Sequence, residues 1–230
     1  MEAKAMNNSA CADVGQSAEK RRVRGLYAVT PDESDTARLV AMVVAVLEGG
    51  ARWIQYRNKV AAPPLLGEQA RALRAACERY GAGLIVNDHV GLAREINAAG
   101  AHIGASDGDI SAARDALGRS RVLGVSCYAS IGLARTAQRS GADYVAFGSV
   151  FTSPTKPLAS RAPLSLFTQA RAAGIGLPLV GIGGVTLHNI EELIDAQADA
   201  AAVIAALFGD RDPQGIRERT VALVRCFGKT

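Results

Sequence analysis

The chain has 230 residues, 49% hydrophobic and 21% charged, with a net charge of +4. That length buries a sizeable core and suits one α/β-barrel domain. Its basic residues (Arg71, Arg74, Arg79; Arg217, Arg219) are scattered over expected helices without interleaved aromatics, which argues against nucleic-acid binding, and no apolar run reaches the ~18 residues of a membrane helix.

Residues 1–22 are polar, small and alanine-rich and end in "EKRR". They lack the apolar centre of a secretory signal and read as a disordered tail ahead of a barrel domain at 23–230. "GLYAVT" (25–30) is a short apolar strand. "SDTARLVAMVVAVLEGG" follows as a helix, with Ser34 as its expected N-cap and glycines at its end. "ARWIQYR" is the second strand, and a helix runs from about Pro64 to Tyr80, with Pro63 and Pro64 suiting its start. "GLIVND" is the third strand and "VGLAREINAAG" a helix expected to end in Gly100. The pattern continues through "AHIG" and "DISAARDALG", "RVLGVS" and "SIGLARTAQRSG", "YVAFGSV" and "PLSLFTQARAAG". "LPLVGIGG" leads to "TLHNIEELIDAQ", with Thr186 as the expected N-cap, and "DAAAVIAALF" to a final helix in "DPQGIRERTVALVRCF".

Eight continuous apolar strands, each followed by an amphipathic helix, predict parallel strands buried on both faces and closed into a (β/α)8 TIM barrel. The alternative, a doubly wound open sheet, needs a glycine-rich fingerprint after the first strand, and "VTPDES" is not one. Cys11, Cys77, Cys127 and Cys226 form no C-x-x-C pair and no zinc spacing; they read as reduced small hydrophobes of a cytoplasmic protein.

In such barrels the active site lies at the carboxyl ends of the strands. The polar residues expected there are Thr30; Gln55, Arg57 and Lys59; Asn87 and Asp88; Ser106 and Asp107; Ser126; Ser153, Thr155 and Lys156; and the glycines Gly183 and Gly184. Lys and Arg complement an anion, and Arg grips phosphate oxygens bidentately. Two carboxylates from neighbouring strand ends suit Mg²⁺, which takes few protein ligands and keeps several waters. Together they suggest a diphosphate bridged by Mg²⁺. "GIGG" with the "AALF" turn suggests a second, phosphate cradle. Each residue has a plainer reading: Asp88 as a helix N-cap, Asp107 as a turn residue, the glycines as tight βα turns, and His102 as a core or strand-end histidine.

Six segments carry a resemblance: "QYRNK" (55–59), "IVNDHV" (85–90), "AHIGASD" (101–107), "GVSC" (124–127), "FGSVFTSPTKP" (147–157) and "VGIGGVT" (180–186). In order and spacing the chain, from about Gly25 to Phe208, resembles the thiamine-phosphate synthase family. The resemblance implies a transferase of thiamine biosynthesis that joins hydroxymethylpyrimidine diphosphate to a thiazole monophosphate with Mg²⁺. Pyrophosphate leaves by dissociative substitution. It implies Gln55, Tyr56, Arg57, Asn58, Lys59, Asn87, Ser126 and Lys156 at the pyrimidine diphosphate, with Arg57, Lys59 and Lys156 catalytic. It implies Asp88 and Asp107 at the metal. Ser153, Pro154, Thr155, Gly183, Gly184, Ile204 and Ala205 would be at the thiazole phosphate. Its partners are small molecules, neither nucleic acid nor membrane, and a homo-oligomer is compatible with it. The chain departs from the family at Ala105, where Gln or Glu is common, and at Ala205, where Ser is common. A related tautomerase branch carries a catalytic histidine where Tyr128 stands here, and tends to lose the pair kept as Thr155-Lys156. A phosphate-binding barrel without catalysis is the remaining reading.

Overall fold

Short runs of Val, Ile, Leu and Ala become eight parallel strands, because each run is apolar on both faces and its helix covers one of them. The computed structural model describes residues 22–104, 108–152 and 161–229. The strands are β1 (Gly25–Val29), β2 (Trp53–Tyr56), β3 (Gly83–Asn87), β4 (Gly100–Gly104), β5 (Val122–Tyr128), β6 (Tyr144–Gly148), β7 (Leu179–Ile182) and β8 (Ala200–Val203). Each pairs in parallel with the next, and β8 pairs with β1, closing the barrel.

The helices are α1 (Thr36–Glu48), α2 (Pro63–Arg79), α3 (Val90–Glu95), α4 (Ile110–Leu117), α5 (Ile131–Arg139), α6 (Ser165–Ala172), α7 (Ile190–Asp195), α8 (Ala205–Phe208) and α9 (Pro213–Cys226). Side chains of Asp35, Asp109, Ser130 and Asp212 cap α1, α4, α5 and α9 by accepting N–H groups from Arg38, Ser111, Leu133 and Gly215. Such caps contribute about 1 kcal/mol each.

Three expected boundaries are corrected. The α1 cap is Asp35, one residue past Ser34, because its carboxylate reaches the Arg38 N–H at 2.9 Å. Helix α3 ends at Glu95, not Gly100: Asn97 turns left-handed at φ 54°, and Gly100 is already paired with Ile85 and Val122. Thr186 does not cap α7. Its carbonyl accepts the Asn189 and Ile190 N–H groups and its own N–H donates to Asn189 Oδ1, so a turn precedes the helix.

Alternation along the strands makes two cores. Tyr27, Trp53, Ile85, Val122, Tyr144 and Val180 pack inside the barrel. Leu26, Ile54, Tyr56, Leu84, Val125 and Phe147 pack outward against the helices. Full burial of a large apolar side chain contributes about 1.5–3 kcal/mol. Cys77, Cys127 and Cys226 are free and buried. Burial pushes the thiols of Cys77 and Cys127 up to about 12, so they act as hydrophobes.

At the amino ends of the strands, two clasps repeat. Asp143 accepts from Arg114 and from the Leu123 N–H; Asp199 accepts from Arg171 and from the Leu179 N–H. Arg114 also donates to the carbonyls of Gly118, Arg121 and Gly141, each at 2.8 Å.

Candidate active site

At the opposite end, the β1 and β2 termini are tied together. Thr30 is fully buried, and its hydroxyl bonds both the N–H and the carbonyl of Arg57 at 2.9 Å. Asp32 accepts the Lys59 N–H at 2.8 Å and lies 3.5 Å from the Arg57 guanidinium. The backbone of 57–59 is therefore fixed, while Arg57 stays part-exposed and Lys59 exposed. The side chains of Tyr56 and Asn58, expected at the diphosphate, turn elsewhere. Tyr56 faces the helix layer because strand alternation sends it opposite to Gln55. Its hydroxyl donates to Gln69 Oε1 at 2.8 Å, and Asn58 Nδ2 donates to Gln69 Oε1 and the Glu33 carbonyl. Both brace the loop from behind.

Glu33 completes that brace. Burial pushes its carboxyl up, but the Arg38 hydrogen bond, the Asp35 N–H and the charges of Arg38 and Arg211 outweigh burial and hold it below the usual range.

Gln55 points into the barrel. Its Nε2 donates to Tyr27 Oη at 2.9 Å, Tyr27 Oη meets Tyr144 Oη at 2.9 Å, Tyr144 Oη meets His102 Nδ1 at 2.9 Å, and His102 Nε2 meets Ser126 Oγ at 2.8 Å. His102 is 6% exposed, as a core histidine should be. Burial pushes it down to about 4, so the ring is neutral at neutral pH. Gly124 makes room for the Tyr144 phenol: a Cβ there would lie 2.0 Å from Tyr144 Cζ.

Asp88 sits just past β3 at φ 63°, and its N–H donates to the His102 carbonyl. It is exposed, and its Oδ2 accepts from Asn87 Nδ2 at 2.7 Å. It caps no helix; His89 holds that position before α3. Among the described residues no three His, Cys, Asp or Glu side chains cluster as a metal cage. A rim carboxylate with no paired cation among the described residues instead suits an ion that relies on one or two carboxylates and on substrate phosphates. Asp107, with Ala105 and Ser106, lies outside the described residues.

The β6 and β7 termini are zipped. Val150 and Phe151 N–H groups donate to the Ile182 and Gly183 carbonyls, and the Ala162 N–H donates to the Ser149 carbonyl. These bonds hold both flanks of 153–160, which lies outside the described residues and includes Ser153, Pro154, Thr155 and Lys156. Gly183 and Gly184 take φ 101° and 67°, and a Cβ on Gly183 would lie 2.2 Å from Ser149 Oγ. Ile204 and Ala205 open the short α8, whose first N–H groups have no partner within the helix.

Residues 26–207 match the family model described as thiamine monophosphate synthase. The chain belongs to that family. It is 53% identical over 190 residues to thiamine-phosphate synthase of Methylobacillus flagellatus, covering 83% of this chain and 90% of that one. It is 49% identical over 203 residues to the Thioalkalivibrio sulfidiphilus synthase, covering 88% and 96%. The solved thiamine phosphate pyrophosphorylase from Pyrococcus furiosus superposes with a TM-score of 0.78 at 31% identity, covering 91% of this chain and 98% of that one.

Within this thiamine monophosphate synthase family member, sequence reasoning missed Asp32, Tyr27 and Tyr144. Asp32 stands in an ordinary loop, and only the fold brings it to Arg57. Tyr27 and Tyr144 sit in apolar strands; the one signal was a hydroxyl at an inward position of each.

Proposed function

We infer that the protein is a thiamine-phosphate synthase that joins hydroxymethylpyrimidine diphosphate to a thiazole monophosphate, releasing pyrophosphate. The observation that carries this reading is the rim itself. In a barrel of this family, Arg57, Lys59 and the exposed carboxylate Asp88, unpaired with any cation among the described residues, stand at neighbouring strand ends. Arg57 and Lys59, with Lys156, bind the diphosphate. They stabilise the negative charge that grows on it as its C–O bond breaks. Mg²⁺, held by Asp88 and Asp107, would neutralise the same phosphate oxygens when bound. Gln55, Asn87 and Ser126 orient the pyrimidine. Ser153, Thr155, Gly183, Gly184 and the backbone at Ile204–Ala205 hold the thiazole phosphate, which aligns the thiazole nitrogen with the pyrimidinylmethyl carbon. The electron pair of the breaking bond leaves with pyrophosphate, and the nitrogen lone pair forms the new C–N bond. No side chain acts as nucleophile, so positioning and electrostatics carry the rate. A cytoplasmic location belongs to this reading; separately, no helix among the described residues is long and apolar enough to cross a membrane.

The test is pyrophosphate release from pure protein. Release that requires both substrates and Mg²⁺, with thiamine phosphate formed, is the expected result. Well-folded protein that releases none sinks the reading and returns attention to isomerisation on the same barrel.

A further inference from the structure

The barrel interior holds a polar chain whose three inner members have no part in the reaction above. Five residues on five strands link through their side chains: Gln55 on β2, Tyr27 on β1, Tyr144 on β6, His102 on β4 and Ser126 on β5. Tyr27 and Tyr144 are 1% and 0% exposed, so each of their protons needs an acceptor within the chain. With the Gln55 amide nitrogen facing Tyr27, counting donors sets the direction of the rest. Gln55 Nε2 donates to Tyr27. The one Tyr27 proton goes to Tyr144 Oη, and the Tyr144 proton goes to His102 Nδ1. A neutral imidazole that accepts at Nδ1 carries its proton on Nε2, which donates to Ser126 Oγ. Ser126 Oγ then accepts from His102, and its own proton is left for the cavity. At the other end, Gln55 Oε1 has no hydrogen-bond partner among the described residues.

We propose that Tyr27, Tyr144 and His102 are positioning residues that join Gln55 to Ser126 in one directed hydrogen-bond chain, so that the β2 end of the site accepts and the β5 end donates. A ligand ring must then offer a donor to Gln55 and an acceptor to Ser126. An aminopyrimidine does so, with an amine and ring nitrogens; a ring with both senses reversed meets two mismatches. Ring packing holds the chain in place: Tyr27 and Tyr144 meet edge-on at 85° with centroids 5.9 Å apart, and His102 stacks on Tyr144 at 5.5 Å. This inference rests on the proposed function only for the identity of the ring. The direction of the chain is a property of the protein alone, and its test is arranged accordingly.

The first measurement is the tautomer of His102 in the full, ligand-free, ¹⁵N-labelled chain, read from long-range ¹H–¹⁵N NMR at neutral pH. Only three histidines occur, so a His102→Asn sample assigns the signal. The expected form has the proton on Nε2. A proton on Nδ1 reverses the chain and overturns the proposal, whether or not the protein makes thiamine phosphate. The second is kinetic. Tyr144→Phe removes one oxygen and cuts the chain in its middle. It is expected to lower kcat/KM for the pyrimidine diphosphate by roughly 10–100-fold, with the KM for the thiazole monophosphate unchanged. Added to Ser126→Ala it should cost little more than Ser126→Ala alone, since both act through one contact. Fully additive losses, or equal losses in both substrates' KM, would mean a merely structural role. Tyr27→Phe cuts the chain one bond earlier and serves if Tyr144→Phe does not fold.

Discussion

The two ends of the barrel handle charge in opposite ways. At the amino ends of the strands, Arg114 and Arg171 are locked to Asp143 and Asp199, and they donate three and two further N–H groups, respectively, to loop carbonyls. At the carboxyl ends, among the described residues, Arg57 has a 3.5 Å approach to a half-exposed Asp32 and the Asp88 carboxylate accepts from one amide. A charge that is fully partnered in the fold has little left to offer a ligand. One held by its backbone, with its side chain open, binds an anion or cation without first breaking a bond. The rim is thus preorganised through Thr30 and Asp32, which grip the main chain of 57–59 by hydrogen bonds and leave the Arg57 guanidinium a longer 3.5 Å approach to Asp32.

The sharpest way to break this comparison is to exchange the readouts. Arg57→Ala and Lys156→Ala should each lower kcat by about 10²–10³-fold or more, and Asp88→Ala should abolish turnover. Their melting temperatures should stay near wild type, checked by circular dichroism beside steady-state kinetics. Arg114→Ala should do the reverse. It strands Asp143 and three carbonyls and is expected to cost about 2–4 kcal/mol. That is the low side of the range for a broken buried pair, because the Asp143 side chain keeps 39% exposure. For a chain of this size that is a Tm drop of roughly 10 °C. Activity per folded molecule should be unchanged. A large kinetic defect in Arg114→Ala, or a large melting defect in Arg57→Ala, would show that the ends are not divided as argued.

Much of this division is legible in the sequence, for a physical reason. Strand periodicity fixes which residues stand at a strand end, and the barrel rule fixes which end carries the site. So the sequence alone puts Gln55, Arg57, Lys59, Asn87, Asp88 and Ser126 on one rim. Three things resist reading. Tyr56 and Asn58 look like rim residues in "QYRNK", but their direction depends on Gln69, which comes from another element. Thr186 has the composition of a cap, yet its carbonyl takes the Asn189 and Ile190 N–H groups in a turn, and the helix begins only at Ile190. The chain from Gln55 to Ser126 joins residues 71 positions apart through three strands, and nothing local signals it. Long-range polar networks leave only inward hydroxyls in apolar strands as their trace.

Glycines test the comparison at lower energy. Gly183, at the carboxyl end, and Gly118, which closes α4 at the amino end, both hold positive φ, at 101° and 78°. A Cβ on Gly118 meets nothing within 4 Å, whereas on Gly183 it meets Ser149. Gly118→Ala should cost about 1–2 kcal/mol from backbone strain alone and leave both KM values unchanged. Gly183→Ala carries the same strain and also pushes on the segment that anchors 153–160. It should raise the thiazole monophosphate KM more than the pyrimidine KM. Equal kinetic effects of the two substitutions would remove the case for a phosphate cradle at Gly183.

The smallest effect concerns Glu33, a neutralised charge at the rim end. Glu33 is 1% exposed at its side chain and joins the loop after β1 to Arg38 and, across 178 residues, to Arg211. If neutralisation rather than location decides a charge's role, Glu33 should behave like the clasps at the other end and act on stability. Its folded pKa lies below its ordinary value. In the window from the unfolded carboxyl, about 4.3, down to that lower folded value, the unfolded chain binds the extra proton. The contribution of Glu33 is therefore complete above that window and is lost as pH falls through it. Glu33→Gln should be less stable than wild type at pH 7, and the gap should narrow as pH falls below about 5. Thermal melts of both proteins from pH 3.5 to 7 measure that gap. A gap that stays constant across this range would mean that the Glu33 charge adds nothing the amide lacks, and that what holds the rim loop is packing.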